Sequence, residues 1–196
     1  MVEGAIQKLI MMQKGGPTVN RSHRRRLLLL LPLGLAALLA LGAWSFRTQT
    51  VDVSDPEALI ACIMEREDLA QRPELRKTAE LGGFFAVYYA EEAGQGLALF
   101  QRAHGTRYEW FAGNRTTQAL NTFSLRIEDT HCLAFYGDNT GARAYAYRIP
   151  SASGHFLGAE DLGDYVLDLY IFSDSQWSGS AAFLYDEAGG ELGLAG

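Results

Sequence analysis

The strongest constraint on this chain is a stretch of twenty residues without a charge, from Leu27 to Phe46, that follows the basic run Arg24-Arg25-Arg26. An α-helix rises about 1.5 Å per residue, so this stretch would span about 30 Å, the thickness of the hydrocarbon core of a bilayer. A surface helix of a globular domain has a polar face, and this stretch has none. The sequence therefore predicts a transmembrane helix over residues 27–46.

The distribution of basic residues predicts how the chain crosses the membrane. By the positive-inside rule, residues 1–26 form a flexible, basic, cytoplasmic leader and residues 47–196 form an extracytoplasmic domain. Ala40-Leu41-Gly42 could serve as the cleavage site of a signal peptide, but the apolar run continues to Phe46 and favours an uncleaved signal anchor. We therefore expect a single-pass protein of the cell membrane.

The part of the chain after the apolar stretch is acidic. Six of the seventeen Lys and Arg residues, but only one of the twenty-three Asp and Glu residues, precede residue 47, which leaves eleven basic and twenty-two acidic side chains, a formal net charge of −11. Such a surface repels phosphate backbones, so we expect no nucleic-acid partner. About 150 residues remain in this part, a length typical of one domain.

The two cysteines, Cys62 and Cys132, both lie in the predicted extracytoplasmic domain. They could form a disulfide if the compartment is oxidising. The alternative is two buried, apolar cysteines without a bond between them. Neither lies in a Cys-x-x-Cys motif or a Cys/His cluster, so the pattern predicts no metal site and no cofactor.

A helix is predicted at the start of this domain. Ser54-Asp55-Pro56-Glu57 matches a capping box with proline in the first turn, and apolar residues at helical spacing follow. We expect one amphipathic helix over about residues 55–70, and a further helical turn over residues 74–80, beyond Pro73.

From Phe84 onward the sequence changes to short runs rich in Tyr, Phe, Val and Leu, separated by Gly, Asn and Asp. This pattern is typical of antiparallel strands. We therefore expect an α+β fold, in which the transmembrane helix is followed by one amphipathic helix packed on a mostly antiparallel β-sheet of about 7–8 strands. The expected strands are 84–90, 97–102, 107–111, 117–128, 133–136, 143–149, 165–172 and 181–185, with 133–136 and 143–149 paired as a hairpin.

The sequence contains no recognisable catalytic motif. No serine lies in a Gly-x-Ser-x-Gly frame, and the histidines stand alone without metal-ligand spacing, so no catalytic or metal residue is assigned. A hydrolase could still use carboxylates, of which Asp161, Asp164 and Asp168 lie close together in sequence, or Cys132 as a nucleophile. Asp138-Asn139-Thr140-Gly141 offers oxygen ligands but lacks the rest of a calcium loop, and a hairpin turn accounts for it.

The layout of the chain resembles that of small, membrane-anchored, extracytoplasmic proteins of unknown function from Gram-positive bacteria. The resemblance covers about half of the predicted domain and includes the charged leader, the anchor and the capped helix. Beyond these, it depends on three segments, Phe85-Ala86-Val87-Tyr88-Tyr89, Gly94-Gln95-Gly96-Leu97-Ala98-Leu99-Phe100 and Arg107-Tyr108-Glu109-Trp110-Phe111. It implies the location and the layout, and it assigns no functional residue.

An anchored, acidic, aromatic-rich β domain without a catalytic motif favours a non-catalytic module of the cell envelope that binds a small ligand or an envelope protein. Trp110 and Trp177 are candidate residues of the binding surface, although core packing would also account for both. Two alternatives remain open at this point, an envelope hydrolase that uses carboxylates and a structural or assembly subunit of a membrane complex.

Overall fold

The computed structural model describes residues 50–195. The predicted leader of residues 1–26 and the predicted transmembrane helix of residues 27–46 lie outside this range. Among the described residues, no helix is both long enough and apolar enough to cross a membrane.

Five strands form the first sheet, sheet I, in the order β1-β5-β4-β3-β2, with all neighbours antiparallel. A single α-helix, α1, connects β1 to β2 in the described part of the chain. The elements are β1 Thr50–Asp52, α1 Pro56–Glu67, β2 Glu74–Leu81, β3 Phe84–Glu91, β4 Gly94–His104 and β5 Arg107–Thr116.

Two further antiparallel sheets follow. Sheet II has the order β10-β7-β6 and sheet III the order β12-β11-β8-β9. Their strands are β6 Leu120–Ile127, β7 Thr130–Asp138, β8 Ala146–Pro150, β9 Phe156–Glu160, β10 Tyr165–Ser173, β11 Ala182–Tyr185 and β12 Glu191–Ala195, with a 3₁₀ turn at Asp174–Gln176 after β10.

The prediction of an α+β fold with one sheet of about 7–8 strands is wrong. The described residues form twelve strands in three antiparallel sheets with one helix, so the fold is mostly β. The antiparallel pairing itself is confirmed. The eight expected strands overlap β3 to β8, β10 and β11, whereas β1, β2, β9 and β12 were not predicted.

The largest local error concerns β2, for which a helical turn was expected. Its sequence, Glu-Leu-Arg-Lys-Thr-Ala-Glu-Leu, is rich in good helix formers. In the structure this segment instead pairs with β3 from Glu74 to Leu81. Hydrogen bonding to a neighbouring strand therefore overrides the local preference of the segment.

The helix α1 lies within the predicted range, but its capping residue differs. Asp55, not Ser54, accepts hydrogen bonds from the amides of Glu57 (3.0 Å) and Ala58 (3.3 Å). Ser54 donates its hydroxyl to Asp52 instead, at 2.6 Å. The carboxylate at the cap satisfies free amides of the first turn and interacts favourably with the helix dipole.

The helix α1 and sheets I, II and III stack as four layers, with an apolar core between each neighbouring pair. The helix core lies between α1 and sheet I, the middle core between sheets I and II, and the outer core between sheets II and III. Their buried members are, for the helix core, Val51, Leu59, Ile63, Leu69, Val87, Tyr89, Ala98, Phe100 and Tyr108; for the middle core, Phe84, Ala86, Tyr88, Leu97, Leu99, Cys132, Ala134, Tyr136 and Leu167; and for the outer core, Leu120, Leu133, Phe135, Ala144, Tyr147, Ile149, Val166, Phe172, Ala182, Leu184 and Ala195.

Strand β7 lies at the centre of sheet II, so the expected hairpin of 133–136 with 143–149 is wrong. β7 pairs with β6 and β10, whereas β8 belongs to sheet III. Asn139, which is 6% exposed, accepts a hydrogen bond from the Ala144 amide and donates to the Ala144 carbonyl, both at 2.9 Å. This closed loop carries the chain out of sheet II and into sheet III.

Two buried tyrosines give a test of this packing. The Tyr136 hydroxyl lies 2.8 Å from Asn114 Nδ2 and 3.2 Å from Asn121 Nδ2, and it accepts a hydrogen bond from each amide. The Tyr89 hydroxyl is buried and has no hydrogen-bond partner among the described residues. Tyr89→Phe should leave the free energy of unfolding unchanged or raise it by about 1 kcal/mol, whereas Tyr136→Phe should lower it by about 1–2 kcal/mol. Urea unfolding of the two variants measures the difference, and equal losses in both would contradict the assigned bonding.

Candidate functional site

The two tryptophans proposed for a binding surface pack against different cores. Trp110 lies in β5 against the helix core, edge-on to Phe100 with ring centroids 5.4 Å apart. Trp177 packs against the outer core and stacks on His131 at 4.5 Å. Both are partly buried, and the structure does not bring them together on one face.

The two cysteines are both free. Cys62, on α1, packs against the helix core, whereas Cys132, in β7, belongs to the middle core. Sheet I lies between these two cores, so the disulfide considered from the sequence is not formed. Burial raises the pKa of the Cys132 thiol to about 11, which keeps it protonated and a poor nucleophile at neutral pH.

The acidic residues considered for hydrolysis do not form a pair. Asp168 accepts a hydrogen bond from the Tyr147 hydroxyl at 2.7 Å, and that hydroxyl lies 2.5 Å from the hydroxyl of Tyr170. Burial raises the pKa of Tyr147, so the phenol remains a donor. Asp161 and Asp164 are exposed, and Asp164 contributes a backbone carbonyl to Asn139. The Asp168 carboxylate therefore holds a pair of phenols in the core.

A histidine and a carboxylate do meet at the end of sheet II. His131 Nε2 lies 2.8 Å from Asp174 Oδ1, and Arg126 donates to the other Asp174 oxygen at 2.5 Å. The Trp177 ring covers one face of the imidazole. Ser178, close by in sequence, donates its hydroxyl to the Pro150 carbonyl instead. These contacts fix the β6–β7 hairpin to the segment after β10.

A concave site, which we call the polar groove after its polar side chains, lies between sheets I and II and has a volume of about 320 Å³. The end of β3, the start of β4, the β5–β6 connection and the end of β7 meet here. The sequence placed most of these residues in turns, and no periodic pattern marks them. The side chains that give the polar groove its chemistry are Tyr88, Gln95, Thr117, Gln118, Asp138 and Thr140.

Gln95 forms the floor of the polar groove and is only 6% exposed. Its Oε1 accepts hydrogen bonds from the Tyr88 hydroxyl at 2.6 Å and from the Asp138 amide at 3.2 Å. Its Nε2 donates to the Ala119 carbonyl at 2.8 Å and to the Gln118 carbonyl. One amide therefore ties together β3, β7 and the β5–β6 connection, and this bonding makes the floor rigid.

Two side chains of the polar groove, Asp138 and Tyr88, interact electrostatically. Asp138 Oδ1 accepts from the Thr140 amide at 2.8 Å and from the Thr140 hydroxyl at 2.5 Å, which fixes the carboxylate in a tight turn. Burial, and then the negative charge of Asp138, raises the pKa of Tyr88 to about 12. Tyr88 is therefore a neutral phenol at neutral pH, and Asp138 is close enough for its negative charge to raise the pKa of that phenol.

A second pocket of about 530 Å³ adjoins the polar groove and shares Thr117 and Gln118 with it. Arg115 and Glu91 line this second pocket and form a two-point ion pair at 2.7 and 2.9 Å. The guanidinium is therefore already neutralised within the protein.

The described residues contain no group of three or more His, Cys, Asp or Glu side chains that could hold a metal ion. Comparisons of the chain with protein-family models, with curated proteins and with solved structures found no match. The function of the chain is therefore inferred from the geometry and chemistry of the polar groove.

The role of Gln95 can be tested by comparing two glutamines of β4. Gln95→Leu removes four hydrogen bonds and leaves their partners unpaired, so the free energy of unfolding should fall by about 2–4 kcal/mol. Gln101→Leu, at an exposed position of the same strand, should change it by less than about 0.5 kcal/mol. Urea unfolding of both variants provides the measurement, and similar values would show that the floor does not depend on Gln95.

The state of Cys132 can be tested by thiol labelling. In a Cys62→Ala variant at pH 8, about one Cys132 side chain in a thousand should be ionised, as follows from the raised pKa. The folded chain should therefore react with Ellman's reagent far more slowly than the same chain in urea. Rapid labelling of the folded chain would instead restore Cys132 as a candidate nucleophile.

Proposed function

We propose that this chain is a non-catalytic binding module of the cell envelope that takes a small ligand in the polar groove. The observation that carries the proposal is the rigid floor built by Gln95, whose amide is bonded on both sides at 6% exposure. A pre-formed pocket of about 320 Å³ lies in the size range of small-molecule sites. Because the site is assembled before a ligand arrives, binding costs little ordering of the protein.

The side chains considered for catalysis are in environments that favour a binding role for the chain over a catalytic one. The Cys132 thiol is buried and protonated, and Asp168 is bonded to Tyr147. An envelope hydrolase keeps one supporting feature, the contact between His131 and Asp174, which resembles the base and orienting acid of a hydrolytic site. That contact lies at the end of β6 and β7 opposite to the polar groove. The two hypotheses therefore place the functional site at opposite ends of sheet II.

The proposed location follows from the sequence. Residues 27–46 would anchor the chain in the cell membrane and residues 47–196 would lie outside the cytoplasm. A small ligand suits the polar groove better than an envelope protein because a volume of about 320 Å³ matches that of a small molecule. An assembly role would instead need an extended complementary surface.

A substitution that fills the polar groove tests this function. Thr117 is exposed and lines both the polar groove and the second pocket, so Thr117→Trp should block the site without disturbing a core. Thr78→Trp, on an exposed position of β2, is the matched control. The full chain in detergent is screened calorimetrically against neutral sugars, amines, amino acids and carboxylic acids.

At least one of these compound classes should bind to the unmodified chain and to the Thr78→Trp variant. Its affinity should fall tenfold or more in Thr117→Trp, because the indole would occupy the ligand volume. If every binder is indifferent to Thr117→Trp, the polar groove is not the site. Hydrolysis of a substrate that depends on His131 would favour the hydrolase.

A further inference from the structure

We propose that the polar groove selects a ligand that carries a protonated amine, and that the Asp138 carboxylate binds its ammonium group. The inference rests on the proposed function, since it assigns a ligand class to the same site. It follows from the charge of the lining residues, from the geometry of Asp138 and from the pairing of the neighbouring arginine.

The polar groove has one charged side chain. Among the residues that line it, Asp138 is the one with a carboxyl group and none is Lys, Arg or His. Tyr88, the other titratable lining residue, is held neutral because its pKa is raised to about 12. A ligand in the polar groove therefore meets a single negative charge with no lining cation to balance it.

The geometry of Asp138 leaves one carboxylate oxygen for a ligand. Both hydrogen bonds from Thr140 end on Oδ1. They fix the plane of the carboxylate and leave Oδ2, which accepts no hydrogen bond from the described residues, as the oxygen proposed to meet the ligand. An ammonium group carries three N–H donors, and the hydroxyl oxygen of the exposed Thr117 is a further acceptor in the same lining.

The nearest arginine in the second pocket does not cancel this charge. Arg115 is bonded at two points to Glu91 and lies 3.5 Å from the Glu67 carbonyl oxygen. Arg143, in the loop after β7, is exposed and does not line the polar groove. Outside the lining, Arg76 acts electrostatically on Tyr88 and is paired with Glu74 at 2.6 Å. Lys77, also outside the lining, donates to the Tyr165 carbonyl at 3.4 Å. An anionic ligand would therefore bring its charge against Asp138 without a cation in the lining of the polar groove to compensate it.

The charge of the remaining domain acts in the same direction. Residues 47–196 carry a formal net charge of −11, which raises the local concentration of cations and lowers that of anions. This long-range effect is screened by salt, whereas a contact with a half-buried carboxylate is screened much less. The two contributions can therefore be separated by ionic strength.

The test uses three probes of one size that differ in charge. Glucosamine carries an ammonium group, glucose is neutral and glucuronate is anionic. We expect the full chain in detergent to bind glucosamine at least tenfold more tightly than glucose, and to show no measurable binding of glucuronate. The pentapeptide Gly-Gly-Lys-Gly-Gly, acetylated and amidated, distinguishes a lysine side chain of a partner from a free small amine, and it should bind more weakly than glucosamine.

Two aspartates allow a matched comparison. Asp138→Asn keeps an oxygen for Thr140 and removes the charge, so the preference for glucosamine over glucose should fall to within twofold. Asp186 also fixes a turn, by accepting from the Gly190 amide at 2.6 Å, and lies outside the polar groove, so Asp186→Asn should keep the full preference. The preference should persist at 0.5 M sodium chloride if the carboxylate contact dominates.

The outcomes separate the two proposals. If glucose or glucuronate binds as tightly as glucosamine and Thr117→Trp abolishes that binding, the polar groove is a binding site and the amine preference is wrong. If glucosamine binds equally to the Thr117→Trp variant, it binds outside the polar groove and the amine proposal fails, whereas the proposed function fails only if every other binder is equally indifferent. Absence of glucosamine binding, or an unchanged preference in Asp138→Asn, also overturns the inference.

Discussion

The alternation of side chains along β3 and β7 is the constraint on which the remaining structure depends. Successive residues of a strand point to opposite faces of a sheet, and in both strands each face is apolar. In β3, Phe84, Ala86 and Tyr88 enter the middle core while Val87 and Tyr89 enter the helix core. A strand buried on both faces needs a layer on each side, so sheet I requires α1 as well as sheet II. β7 is likewise buried on both faces, in the middle core and the outer core, so sheet II requires sheet III as well as sheet I.

This stacking of layers explains why polar groups collect at the end of the sheets. A residue in the interior of β3 or β7 has an apolar core on either side, so a polar side chain is tolerated where a strand ends and turn backbone is available as a partner. Gln95 and Asn139 occupy such positions, each 6% exposed and bonded to backbone carbonyls and amides. The polar groove is thus a consequence of how the middle core ends, and the residues that terminate the core also build the floor of the site.

The sequence predicted the parts of this fold that local pattern controls. The helix at Pro56–Glu67 and eight of the strands follow from apolar spacing and turn residues. The same pattern could not show that β7 pairs with β6 and β10, because a strand that is apolar on both faces carries no mark of its neighbours. β2 was missed because an edge strand is stabilised by its partner and can keep helix-forming residues. β12 was missed because a glycine-rich segment looks unfolded until Ala195 is placed in the outer core.

The site was the least predictable part, for a related reason. The chemistry of Asp138 depends on Tyr88 and Gln95, which lie on other strands at a distance of more than forty residues in sequence. In the sequence, Asp138 belongs to an ordinary turn, and its hydrogen bonds with Thr140 fit that interpretation. What distinguishes Asp138 is that no cation lines the polar groove, and that Arg115 of the adjoining second pocket is paired with Glu91. The packing of two sheets places this turn aspartate in a groove without a lining cation, and this placement is the basis for proposing it as a recognition group.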